Sequence, residues 1–163
     1  MHASFSRLDD ALIERLFQPL ADTVMDRFGL DRLRAACFCL DAASLAWIVS
    51  QAGGLGRDVG GWDAGPACLR LLLLVLGLAA MSSLRTLFQR MVAGGANPLR
   101  VAMVPHRGLA LALFLGQLMT AGGLAGWAEL AMLGLAAAGL YLGACRARPP
   151  AHRRVAWLAD AKV

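Results

Sequence analysis

Charge is scarce in this 163-residue chain: 17% of its residues are Asp, Glu, Lys or Arg, where a soluble domain carries about 25%. Lysine occurs once, at Lys162, and His106 is the one histidine close to an apolar segment. Several motifs are missing altogether. The Gly-Lys-Ser/Thr ending of a phosphate-binding loop does not occur, nor does Gly-x-Ser-x-Gly or His-Glu-x-x-His. No catalytic set is expected, and no cofactor. The first residues form an acidic amphipathic stretch instead of a basic segment followed by an apolar core, so a cleaved secretory leader is not expected either.

Cysteine is present without the pattern of a disulfide framework. Cys37, Cys39, Cys68 and Cys145 lie inside or at the ends of apolar segments, whereas even cysteine counts signal bridges in small secreted chains. On a helix, Cys37 and Cys39 point about 200° apart, which makes a poor ligand pair. They read, with Cys145, as small buried apolar residues, and no metal is expected.

What the chain has in excess is apolar residues. They make up 58% of it, with a mean hydropathy of +0.58, and they gather in four blocks near the ~20 residues that a membrane-spanning helix needs. The blocks run over about 34–52, 67–92, 98–120 and 127–145, the second ending in a wetter extension that carries Arg85, Gln89 and Arg90. The expected fold is therefore all-α: a four-helix transmembrane bundle, up-down-up-down, over 34–145. Residues 1–33 precede it as an amphipathic segment, and 146–163 follow as a basic tail. Glycine-rich 53–66 reads as a loop. Asn97 and Pro98 suit the cap and first position of a helix, and Pro105 is expected to kink the third block.

In the amphipathic segment, Leu8, Leu12, Ile13, Leu16 and Phe17 recur at helical spacing, with Asp9, Asp10, Glu14 and Arg15 on the other side. Pro19 should interrupt the pattern before Leu20, Val24, Met25 and Phe28 resume it. Without a basic polar face such a segment has weak attraction for lipid, and docking on protein competes with lying on the membrane.

Basic residues set the expected orientation. Counted over 1–34, 85–107 and 146–163, fourteen Lys or Arg fall on the side of the two termini, and over 53–66 and 121–126 one, Arg57, falls on the other. The rule that cytoplasmic loops are rich in Lys and Arg then puts both termini in the cytoplasm. It also puts arginine-rich ends against anionic lipid headgroups, so nucleic acid is not the expected partner of the net +5 charge. Trp47, Trp62 and Trp127 would form an outer aromatic belt. The arginine-heavy usage reads as the codon bias of a GC-rich bacterium, hence an inner-membrane protein.

Candidate sites are few. Gly108, Ala112, Gly116 and Thr120 make a small-residue stripe on the third block, Gly139 and Gly143 a shorter one on the fourth, and Gly122 with Gly126 another in the turn between them. Such stripes let helices approach closely. Asp41, Gln117, Arg70 and Glu129 are the intramembrane polar residues, which are costly to bury and so point to structure or function. Asp41 has possible partners in Ser82, Ser83, Arg85, His106 and Arg107, and Arg70 is expected to pair with Glu129. The expected function is non-catalytic: association with a membrane-protein partner, as an accessory or assembly subunit, or with further copies of itself. The alternative is a small channel, transporter or holin-like pore using Asp41 and Gln117.

Overall fold

The computed structural model describes residues 2–61, 64–90 and 98–146. Among them the chain is helical throughout, with no strand: α1 (His2–Leu12), a π-helical turn (Ile13–Phe17), α2 (Gln18–Phe28), α3 (Arg32–Gly60), α4 (Ala64–Arg90), α5 (Pro98–Ala102), α6 (Val104–Leu118) and α7 (Gly123–Ala144). The expected cap at Asn97, the belt residue Trp62 and the tail beyond Arg146 lie outside the described residues.

Among the described residues three helices, α3, α4 and α7, are long and apolar enough to cross a membrane. The third block departs from expectation. Its helix is divided at Met103, and Pro105 stands in the first turn of a new helix, where its missing N–H costs nothing, instead of kinking an old one. That leaves α6 with 15 residues, about 22 Å of rise. The glycine-rich loop is also a misreading. Gly53, Gly54, Gly56 and Gly60 all lie within α3, which runs 29 residues. Gly54 is used for close packing, because a Cβ there would collide with the guanidinium of Arg70.

Pro19 does not break the N-terminal helix. A proline ring clashes with the carbonyl four residues earlier, and the helix widens instead, with the Gln18 N–H reaching back to the Ile13 carbonyl. The wider turn keeps residues four apart in line, so Asp9, Ile13, Phe17 and Ala21 all face the bundle while Leu8, Leu16 and Leu20 face outward. The helix ends at Gly29, whose φ of 64° permits the left-handed cap.

The deepest packing joins α3 to α7. A Cβ on Gly139 would stand 3.2 Å from the Ala36 carbonyl oxygen, and one on Gly143 would stand 2.7 Å from the Phe88 ring. The fourth-block glycines therefore do form a packing seam. It brings the start of α3 and the end of α7 to the same end of the bundle. There α1 and α2 lie across them over a core of Ile13, Ala21, Leu33, Ala36, Leu40, Phe88, Leu140, Tyr141 and Cys145. A smaller cluster, Ala43, Met81 and Met132, continues it inward. Trp47 wedges over Gly77 and donates from Nε1 to the Leu74 carbonyl at 3.3 Å.

Candidate functional site

The polar chemistry of the described residues collects at the end of the bundle where α3 begins. Asp9 on α1 is buried against Arg107 on α6. Arg107 Nε donates to Asp9 Oδ1 at 3.1 Å and Nη2 to Oδ2, a bidentate pair with both side chains essentially inaccessible. Arg107 Nη2 also donates to the Arg100 carbonyl at 2.8 Å, and its guanidinium lies 5.7 Å from the centre of the Tyr141 ring. Tyr141 in turn stacks on Phe17, with centroids 4.6 Å apart and planes 8° from parallel.

Further ties reinforce this node. Arg100 meets Asp10 at 2.9 Å and Glu14 at 3.1 Å. The hydrogen bond it donates to Asp10 chiefly holds the Arg100 guanidinium above its ordinary pKa, against the opposing effect of partial burial. The Gln18 amide pairs with the Arg146 backbone, accepting from its N–H at 2.8 Å and donating to its carbonyl at 3.3 Å. The acidic side of the N-terminal arm thus meets arginines at the ends of the bundle. Asp9 is not on a solvated face, and Arg107 is turned wholly into the protein.

The intramembrane candidates fall into separate pairs. Asp41 Oδ1 lies 3.2 Å from Arg85 Nη1, joining α3 to α4; Arg85 is one of its expected partners. Gln117 Nε2 on α6 donates to Glu129 Oε2 on α7 at 3.2 Å. The expected pairing of Arg70 with Glu129 is overturned, because Arg70 Nε instead donates to Asp58 Oδ2 at 2.7 Å. The extra turns of α3 carry Asp58 to Arg70, a partner hidden from any account that treats 53–66 as a loop. Asp41 and Gln117 are not brought together.

On the third block, Gly108 is buried, but Ala112, Gly116 and Thr120 face outward, and a Cβ on Gly116 would meet nothing within 4 Å. Gly122 is exposed as well, and a Cβ on Gly126 would touch only the Ala121 backbone, at 3.5 Å, so that pair joins no second helix. Arg32, buried at the start of α3, has its Nε and Nη1 without a hydrogen-bond partner among the described residues. No group of three His, Cys, Asp or Glu side chains among those residues could hold a metal ion.

A groove of about 390 Å³ opens between α3 and α4, lined by Asp31, Leu33, Arg34, Cys37, Phe38, Asp41, Phe88 and Gln89. Asp41 stands out in the sequence, but the groove does not, because its walls come from two helices. The Asp9–Arg107–Tyr141 node is hidden too, although the one tyrosine of the chain, placed in an apolar block, is a visible signal. Compared with protein-family models, curated proteins and solved structures, the chain matches none.

Proposed function

We propose that this is a non-catalytic integral membrane protein that acts by helix association, as an accessory or assembly subunit of a membrane complex or as a homo-oligomer. The observation that carries the proposal is the isolation of α4. This helix rests chiefly on α3, and only 6% of its apolar stretch is buried. Leu69, Leu72, Leu73, Val75 and Leu76 face outward, followed by Ser82, Ser83 and Thr86. Small hydroxyl residues are typical of helix–helix seams within membranes, and here each is bonded to a carbonyl of its own helix, ready to lie flat under a neighbour. The outward run Ala112, Gly116, Thr120 on α6 offers a second such surface.

The protein would sit in the inner membrane of a bacterium as a four-pass chain, with α6 as its short third pass and both termini in the cytoplasm. Two things support that topology: the bias of Lys and Arg and the return of α7 to the end where α3 starts. The arginine-rich end would lie among anionic headgroups. The association test is disulfide and maleimide cross-linking in membranes, in a chain whose native cysteines are replaced. Ser83→Cys should give a cross-linked species, and Gly116→Leu should weaken assembly without lowering the melting temperature of the chain. A protein that stays monomeric and uncross-linked in its native membrane would overturn the proposal.

A further inference from the structure

We propose that the groove between α3 and α4 seats the headgroup of a zwitterionic phospholipid, with one acyl chain running along the outer face of α3. The groove is mixed in chemistry. Asp31, Arg34 and Asp41 line it together with Gln89 and the Cys37 thiol, and Leu33, Phe38 and Phe88 form its apolar walls. The lining carries two carboxylates, Asp31 and Asp41, and one guanidinium, Arg34, and Arg85 stands just outside it on Asp41, so the charges balance. That balance suits a ligand carrying both an ammonium and a phosphate, and it penalises one that brings a phosphate alone.

The acids retain capacity for a ligand. Asp31 caps α3 through its backbone and makes no side-chain cap hydrogen bond. Asp41 meets Arg85 through Oδ1, and both side chains remain 47% accessible. Neither acid is consumed by the fold.

The apolar continuation identifies the occupant as a lipid. Phe38 is 71% exposed at the lip of the groove, and Leu45 and Val49 follow it outward on the same face of α3. Eleven residues separate Phe38 from Val49, about 16 Å of helix, close to half of a ~30 Å hydrocarbon layer. A polar seat with one leaflet of apolar track below it is the shape of a phospholipid. The groove also lies at the arginine-bearing ends of α3 and α4.

The test uses the full-length protein in detergent micelles, titrated with phosphatidylethanolamine, phosphatidylcholine or phosphatidylglycerol of one acyl composition, and native mass spectrometry to count retained lipid. The zwitterionic lipids should be retained about tenfold more strongly than phosphatidylglycerol, the difference expected from one close ion pair between the lipid ammonium and a groove carboxylate. Arg34→Gln and Asp31→Asn should each reduce that retention by a similar factor while the melting temperature stays unchanged, and Phe38→Ala should weaken retention of every lipid. Phosphatidylglycerol held as well as the zwitterions would overturn the proposal, as would variants that bind like the parent. Equal binding of soluble glycerophosphoethanolamine would leave no role for the acyl track and would overturn it too. None of these outcomes bears on the cross-linking result, so the two proposals fail separately.

Discussion

Replacing Asp9 with Asn isolates the energetics of the buried node. Arg107 is wholly inaccessible and Asp9 is 2% accessible, so solvent screens almost none of their interaction. Removing one partner of a buried ion pair costs about 3–5 kcal/mol, because the remaining charge stays desolvated. Arg107 would keep the Arg100 carbonyl and the Tyr141 face, each a compensation of about 1 kcal/mol, so the lower end of that range, about 3 kcal/mol, is expected. Cys145 provides the readout, since it is fully buried in the core beneath the N-terminal arm. In a chain with Cys37, Cys39 and Cys68 changed to Ala, maleimide labelling of Cys145 follows the population in which the arm has lifted. A loss of about 3 kcal/mol should raise that rate by roughly two orders of magnitude. Asp10→Asn, at a half-exposed position, should change it less than about threefold, in keeping with surface ion pairs worth under about 1 kcal/mol. The double replacement Asp9→Leu with Arg107→Met should restore most of the protection, as apolar substitutes for buried pairs do. If Asp9→Asn labels like the parent, or the double variant opens more than the single, the reasoning is wrong.

Gly139→Leu should force α3 and α7 apart, because a Cβ there already stands 3.2 Å from the Ala36 carbonyl oxygen; a loss of at least about 1–3 kcal/mol should appear as a lower melting temperature, whereas Gly116→Leu should leave it within a degree or two. Arg70→Gln should cost no more than about 0.5 kcal/mol after allowing for its exposure, and its effect should add to that of Glu129→Gln in a double-mutant cycle, since the two side chains have different partners; a coupling above about 1 kcal/mol would restore the rejected pair. Reporter fusions after Ala64 should read periplasmic, and those after Gly95 or Val163 cytoplasmic; a periplasmic C-terminus would contradict the proposed four-pass arrangement.

What the sequence makes legible is what depends on one segment at a time. Long apolar runs announce α3, α4 and α7 because burial of backbone and side chain in lipid requires them. The Gly139 and Gly143 pair is visible for the same reason, as two small residues on one helical face. Contacts between distant segments are less visible. Asp9 and Arg107 are 98 residues apart, and either alone looks like a surface charge. Glycine misled at 53–60, where helix propensity argues for a loop but packing of the Arg70 guanidinium over Gly54 favours a helix. The third-block stripe shows the converse error: spacing identifies a face, but not what meets it, and from Ala112 onward this one faces away from its own bundle.

The distribution of buried side chains gives the molecule a mechanical polarity. Rings, arginines and glycine contacts knit all seven α-helices together at the end where α3 begins, while towards the far end the burial thins to scattered residues such as Ser50, Gly54, Ala67 and Leu130. A bundle clamped at one end and loose at the other behaves as a pair of forceps. Because α3 and α7 form the deepest packing, its low-energy deformation is a swing of the weakly buried α4 and α6 away from that pair, pivoting on the clamp, and amide exchange should slow steadily from the far end towards it. An incoming helix could enter between the tips without disturbing the pivot.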